Sequence, residues 1–566
     1  MIKLSGSKVI QYLFFFLLLL AYFIHLGYND IWNPNEGFYA DCVRNMLETG
    51  NFLDFYFNGE LRFNKPPMTY WAMAVSAWLF GLNEFFLRFP IILFTIGSVW
   101  LTYLTGKKIY NQHAGFISAL AMALSLQFLA NSRYATPEVP LTFFFTLTMY
   151  WFIKGYLDKS SRYLYLSYVA LGLTILTKGF PYLIIIPAII IFYIFLKANF
   201  KLKQTWKELW SLKVHIGIPV ATIIGFSWLF YSYMKFGDEF LEILSRETLE
   251  RAFSPDDDNS LVAVLFYFPS VMVWGFLPYS IVFYTGFFFF ILKKKLLQEN
   301  AFAISWFLVM IVIFSVARFK LPTYIIQAHP AAALIVGVFL ARFHTLDKFY
   351  KISSNIGLLL PAIGGVIINV AIIVVFELHP IFHLINLIPV FFFIYLSGAG
   401  KKYLPYWRND RKPYYQALVY FPFMVFVFTT IIFGYRVLWK LEEVRPYSLI
   451  GQVVNEHLPN KQQPLFIEDR FIFNMPYYAE RKVFVRKDIH EIKKYAESHE
   501  CISLIKTENI HLFPRAEILW EGYVYKRSEA VFFIFLQNYT RFNEGNRAKF
   551  FHYYLIYQSP MHVNKN

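Results

Sequence analysis

Two polar stretches in an otherwise apolar chain hold residue types that can do chemistry. They are Asn33-Pro34-Asn35-Glu36-Gly37-Phe38-Tyr39-Ala40 and Arg62-Phe63-Asn64-Lys65-Pro66-Pro67. Both follow the first hydrophobic run. A carboxylate and a lysine held just outside a bilayer suit a displacement at a membrane-embedded phosphate. The acid would serve as general base or electrostatic partner, the lysine as a mobile point charge for phosphate oxygens. Groups of the same kinds stand in Thr136-Pro137-Glu138, Lys178-Gly179 and Arg318-Phe319-Lys320-Leu321-Pro322-Thr323-Tyr324. Glu247 and Arg251 lie in a loop, 235–262, long enough to cover a site as a lid. The Asp256-Asp257-Asp258 run in that loop reads as a solvated acidic face.

Each motif also has a plainer reading. Asn33 with Glu36 fits a capping box. It would open an amphipathic helix with Tyr39, Val43, Met46 and Leu47 on one face and Gly50 at the C-terminal cap. Thr136-Pro137-Glu138 matches a helix start: N-cap, proline in the first turn, acid at the positive helix end. Lys65 and Lys178 can snorkel to headgroups, and Arg318 and Lys320 can anchor a helix end. Spacing alone leaves both readings open, so the elements that carry these residues must decide.

Of the 566 residues, 57% are hydrophobic and 16% charged, against about 45–50% and 25% in soluble domains. The apolar residues fall into runs from 9–27 to 416–436, mostly long enough for a hydrocarbon core of about 30 Å. An all-α polytopic membrane protein with about thirteen spans is expected. The net charge of +16 then reflects lysine-rich loops rather than a nucleic-acid partner. If the apolar segment 67–82 lies at the surface, the basic loops all fall on one side: Lys107-Lys108, Lys159/Arg162, Lys197 to Lys213, Lys293 to Lys295, Arg342/Lys348/Lys351 and Lys401 to Lys412. The N-terminus is then cytoplasmic. Segments 28–87, 132–138, 178–180, 235–262, 318–322 and the C-terminal part open outward, which places Glu36, Lys65, Glu138, Lys178, Glu247, Arg251, Arg318 and Lys320 on one face.

The first run, preceded by Lys3 and Lys8 and followed by no small-residue cleavage site, reads as a retained helix. Cys42 and Cys501 supply neither a disulfide framework nor a cysteine zinc site, and are expected unpaired. Residues 1–438 form the expected membrane unit, with the extracytoplasmic loop 28–87. Residues 439–566 form a small extracytoplasmic α/β unit, with strand-like runs at 464–468, 482–486, 501–506 and 516–520 and a helix within 488–499. The aromatic, basic tail 526–566 shows no readable pattern. Walker loops, dinucleotide fingerprints and internal repeats are not seen.

Five stretches, in order, resemble the GT-C membrane glycosyltransferases that use polyprenyl-phosphate sugars. They are Asn35-Glu36-Gly37-Phe38-Tyr39-Ala40, Asn64-Lys65-Pro66-Pro67, Arg133-Tyr134-Ala135-Thr136-Pro137-Glu138, Leu176-Thr177-Lys178-Gly179 and Lys320-Leu321-Pro322-Thr323-Tyr324. The likeness is greatest to ArnT-like aminoarabinose transferases, with protein O-mannosyltransferases more distant. It implies transfer from an undecaprenyl-phosphate sugar at the outer face of a bacterial inner membrane, by a monomer. Lys65, Lys178, Arg318 and Lys320 would hold the donor phosphate. Glu36, Glu138 and Asn35 would be catalytic, and Tyr39, Glu247 and Arg251 would border the acceptor or its lid. The implied acceptor is lipid A or another envelope glycolipid, and the donated group an aminosugar, or a pentose or hexose. A protein hydroxyl or growing glycan is the alternative acceptor.

A lipid or glycan flippase is the rival outside the enzymes. Transporters set ionisable residues near mid-bilayer and often carry repeats, whereas these charges cluster at one surface. The family usually has Asp-Glu at Asn35-Glu36, Glu-Lys-Pro-Pro at Asn64-Lys65-Pro66-Pro67, and Thr-Pro-Asp at Thr136-Pro137-Glu138. An amide cannot act as a base near neutral pH. Either Glu36 and Glu138 carry the load, or the acceptor is an anion such as phosphate that needs no strong base. Two carboxylates near phosphate can also hold a divalent metal (Mg, Mn or Zn), although basic residues can supply the same neutralisation.

Overall fold

With no water in a bilayer core to bond backbone amides, apolar runs satisfy them internally as helices. The computed structural model describes residues 8–245, 261–317, 320–397, 412–529 and 532–559. Its first half runs through α1 (Lys8–Phe23), α2 (Asn35–Thr49), α3 (Met68–Phe80), α4 (Glu84–Ile109), α5 (Gln112–Leu124) and α6 (Leu126–Asn131). It continues through α7 (Glu138–Asp158), α8 (Ser161–Lys178), α9 (Tyr182–Lys197), α10 (Leu202–Ser211) and α11 (Val214–Phe236). Segment 67–82 forms α3 behind Pro66-Pro67 and exposes Val75, Trp78, Leu79 and Phe80. Helix α2 ends where expected: Gly50 has φ of 69° and donates its amide to the Met46 carbonyl, a backbone that glycine adopts without penalty.

Among the described residues, five helices are long and apolar enough to cross a membrane by length and composition, and six further apolar helices have 10–17 residues. Breaks account for part of the difference from the expected thirteen. The run 112–131 divides at Ser125, and 263–292 divides into helices Leu261–Gly275 and Ser280–Ile291. The second pair still traverses the bundle. Tyr267 donates to the Lys320 carbonyl at one end, while Phe289 packs on Phe339 and Tyr350 at the other. The two breaks bond each other, with the Leu126 amide 2.9 Å from the Leu277 carbonyl. Interrupted helices persist at depth where other protein groups meet the freed backbone. Beside them His329 bonds the Ser125 hydroxyl (3.0 Å) and Gln127 Oε1 (3.1 Å), and the Gln127 amide donates to the Pro322 carbonyl (2.7 Å). This buried polar group fixes the 320–324 turn to the bundle.

The C-terminal part builds a five-stranded mixed sheet in the order Val483–Arg486, Leu465–Glu468, Cys501–Lys506, Phe550–Gln558, Glu517–Tyr525. Its strands are β3 (Leu465–Glu468), β4 (Val483–Arg486), β5 (Cys501–Lys506), β6 (Glu517–Tyr525) and β7 (Phe550–Gln558). Strands β3, β4 and β5 are parallel; β7 runs antiparallel between β5 and β6. Helix Ile489–Ser498, capped by the Asp488 carboxylate, fills the expected 488–499 stretch. The tail supplies strand β7 and helix Phe532–Asn543, neither of which the sequence reading resolved. Cys42 and Cys501 are free and buried.

A two-strand hairpin, β1 (Tyr56–Phe57) and β2 (Glu60–Leu61), docks on this sheet. The Asn58 amide group donates to the Val483 carbonyl (3.0 Å), and the Val483 amide donates to Asn58 Oδ1 (2.7 Å). On its other side Asp54 binds Lys235 of α11 (2.5 Å), and the Leu53 carbonyl accepts from Trp228 (2.9 Å).

The sheet is clamped to the bundle by buried charge. Arg445 pairs with Glu442 and with Glu529 (3.1 Å), lies 4.0 Å from the Trp32 ring, and donates to the Asp30 and Ile31 carbonyls. Replacing Arg445 with Met leaves Glu529, which is fully buried, without its cation. We expect a loss of about 3–5 kcal/mol, measured as a lower Tm and faster proteolysis within 446–559. Unchanged protease resistance would contradict the clamp.

Candidate active site

Glu36, the first acid of the sequence motif, has no exposed surface. Arg88 of α4 binds both its oxygens, Nε at 3.0 Å and Nη2 at 2.7 Å, and the amides of Trp32 (2.9 Å) and Ala135 (2.5 Å) donate to it as well. Arg88 spends its remaining donors on the carbonyls of Leu26, Asn29 and Asp30. The capping box is not formed. Pro34 is the N-cap without a side-chain bond, and Asn33 Oδ1 instead accepts from the Phe473 amide of the C-terminal part. Four donors therefore fill the acceptor sites of Glu36, which was expected to reach an acceptor.

Residues 29–36 are held from three sides. Arg88 holds them from the bundle, and Ala135 from the next loop. From the C-terminal part, Tyr478 accepts the Ile31 amide (2.8 Å), Asp30 accepts the Ser448 amide (2.8 Å), and Glu529 exchanges bonds with both backbone groups of Asn33 (2.9 Å each). Asn35, the first residue of α2, remains exposed.

The loop 132–138 joins this floor to the second acid. Arg133 donates to the carbonyls of Ala21, Tyr22 and Ile24, and so caps the end of α1. Burial and the neighbouring Arg88 pull its pKa down to about 10, which keeps it charged at neutral pH. Ala135 bonds Glu36, and three residues later Glu138 opens α7 behind the N-cap Pro137. Lys178, the last residue of α8, lies 3.1 Å from Glu138 Oε1, with side-chain exposures of 12% and 16%. The Lys178 ammonium sits 5.6 Å from the Tyr324 ring centre, which brings the 320–324 turn to the same place. Glu138 is therefore the acid of the two that keeps an accessible edge.

Tyr39 is buried in α2, its ring 4.8 Å from Tyr70. Burial, Tyr70 and the nearby Glu138 hold its phenol well above the usual range, which keeps it neutral. Lys65 is half-buried and follows the docked hairpin, just ahead of α3; Lys320 is also half-buried, in the turn fixed by Gln127. Arg318, Glu247 and Arg251 lie outside the described residues.

The sequence places Arg62 in the second polar stretch but gives it no role. Its guanidinium stacks 3.8 Å over Phe38 and makes no ion pair among the described residues, three positions before Lys65. The sequence reading missed Arg88, whose partner is 52 residues away. An arginine five residues into an apolar helix was the available signal, since an unpaired charge there is costly. A divalent ion would need open carboxylate oxygens. Those of Glu36 are filled and Glu138 has Lys178, and no three His, Cys, Asp or Glu converge among the described residues.

Arg88→Met is expected to cost about 3–5 kcal/mol by stranding the Glu36 charge, read as a lower Tm in detergent. Glu36→Gln in the Arg88→Met background should recover part of it. A wild-type Tm for Arg88→Met would contradict this assignment.

Residues 64–223 match the family model described as dolichyl-phosphate-mannose-protein mannosyltransferase. An uncharacterized protein of Aquifex aeolicus is 33% identical over 92% of this chain and 95% of its own length. An undecaprenyl phosphate-alpha-4-amino-4-deoxy-L-arabinose arabinosyl transferase of Wigglesworthia glossinidia brevipalpis is 28% identical over 60% of each chain. One from Proteus mirabilis is 25% identical over 69% of this chain and 71% of its own. In fold, the crystal structure of ArnT from Cupriavidus metallidurans bound to undecaprenyl phosphate superposes with a TM-score of 0.73, at 19% identity, covering 91% of this chain and 97% of that one. In sequence the chain is similar to these arabinosyl transferases, and it shares the fold of ArnT.

Proposed function

We propose that this glycosyltransferase moves a sugar, an aminosugar first of all, from undecaprenyl phosphate to lipid A or another envelope glycolipid. The observation that carries the reading is the Lys178–Glu138 pair under Tyr324, partly open at one end of an apolar helical bundle. The acceptor oxygen attacks the anomeric carbon, the bond to the phosphate oxygen breaks, and polyprenyl phosphate leaves with the electron pair. Lys178, Lys65, Lys320 and Arg62 would neutralise the departing phosphate where low dielectric strengthens each charge. Glu138 would orient the acceptor or take its proton. Exposed Asn35 would hydrogen-bond the acceptor, and buried Tyr39 would support Glu138.

The mannosyltransferase description of the matching family model favours one second reading, a protein hydroxyl as acceptor with the same class of donor. Supporting an outward-facing site in a bacterial inner membrane, the lysines 107, 108, 197, 201, 203, 207 and 213 lie toward the helix ends opposite Glu138 and Lys178.

Lys178→Ala and Lys65→Ala are each expected to lower transfer from undecaprenyl-phosphate aminosugar to lipid A by about 100-fold or more, measured by mass spectrometry of the product. Glu138→Gln should fall by a similar factor if the acceptor is a hydroxyl, and by much less if it is a phosphate. Full activity in both lysine variants would remove the phosphate assignment. An unmodified lipid A beside a modified protein would transfer the reading to the protein acceptor.

A further inference from the structure

An apolar hollow lies away from the site, among α7, α8, α9, α10 and α11. It has a volume of about 230 Å³ and is lined by Phe152, Ser167, Leu171, Ile190, Trp206 and Trp210, among others. On α8 the lining runs from Leu164 to Leu171, about 10–20 Å along the helix from Lys178. Helix α10 forms its rim. This short helix is amphipathic: Leu202, Trp206 and Trp210 are 75%, 63% and 50% exposed, and the two tryptophans stand four residues apart with rings 5.9 Å from each other. Lys201, Lys203 and Lys207 are exposed beside them and make no ion pair among the described residues. Only Glu208 is acidic on this helix, and it accepts from Tyr156 and Gln204.

A basic helix with aromatic residues on its apolar face is the arrangement that lies in a membrane interface. Lysines at that level attract anionic headgroups. The hollow is smaller than the roughly 300–1,000 Å³ of sites that enclose a whole drug-sized ligand, which suits one hydrocarbon chain.

We propose that this face binds one anionic bilayer phospholipid, its headgroup on Lys201, Lys203 and Lys207 and one acyl chain in the hollow behind Trp206 and Trp210. The site is separate from the transfer site and does not depend on the donor reading. Its chemistry is phosphate against ammonium outside and hydrocarbon against hydrocarbon inside. Bound there, the lipid would fill a space that protein side chains leave open between α8, α9 and α11.

Native mass spectrometry of the full chain in detergent tests this, with phosphatidylglycerol and phosphatidylcholine of identical acyl chains added at equal concentration. The wild type should retain one phosphatidylglycerol about tenfold more tightly than phosphatidylcholine. Lys203→Glu/Lys207→Glu, confined to exposed positions, should abolish the preference. Ile190→Trp, which fills the hollow, should weaken retention of phosphatidylglycerol while leaving the thermal melt unchanged or higher. Equal retention of the two lipids by the wild type overturns the proposal. So does a preference that survives the lysine reversal, or phosphatidylglycerol retention unaltered by Ile190→Trp.

Discussion

The Glu36–Arg88 ion pair is the constraint on which this end of the molecule depends. Removing two charges from water costs several kcal/mol per ion, and only complete bonding returns it. Here it is complete: Glu36 takes four donors, while Arg88 serves Glu36 and three backbone carbonyls. Those contacts reach the end of α1, the 28–34 segment, α4 and the 132–138 loop together. A shift in any of them strands buried charge, so the four move as a unit or not at all.

That bonding separates two environments that the sequence presents as one. Glu36 and Glu138 both lie in the first turn of a helix behind a proline, yet one is sealed and the other sits partly accessible with Lys178. The sealed acid sets the height of the 132–138 loop, and through it the position of Glu138 three residues on. The C-terminal sheet contributes to the same floor. Glu529 bonds Asn33 on both backbone groups, and β4 holds the hairpin that delivers Arg62 and Lys65. It is part of the frame of the site rather than an appendage.

Much of the fold was legible because its signals are local. Apolar runs mark helices, Gly50 marks the end of α2, and Pro66-Pro67 the start of α3. Helix breaks at Ser125 and at 276–279 were not, since the amide of Leu126 and the carbonyl of Leu277 satisfy each other across 151 positions of chain. For the same reason Asn33 and Glu36 resembled a capping box: nothing local reveals that Phe473 and Arg88 take their side chains. Strand β7 stayed hidden in an aromatic tail because its partners, β5 and β6, lie upstream and on both sides of it. In the candidate site the sequence named Glu138, Lys178 and the 320–324 turn, which the structure brings together, while the place of Arg62 over Phe38 depends on the fold.

The most direct measurement is an experimental structure of the full chain with undecaprenyl phosphate bound. The account predicts phosphate oxygens within about 3 Å of the Lys178 ammonium and of at least one of Lys65, Lys320 and Arg62, with Glu36 still closed on Arg88. A phosphate seated elsewhere on the bundle, or a Glu36 carboxylate released from Arg88 and turned to the ligand, would contradict it.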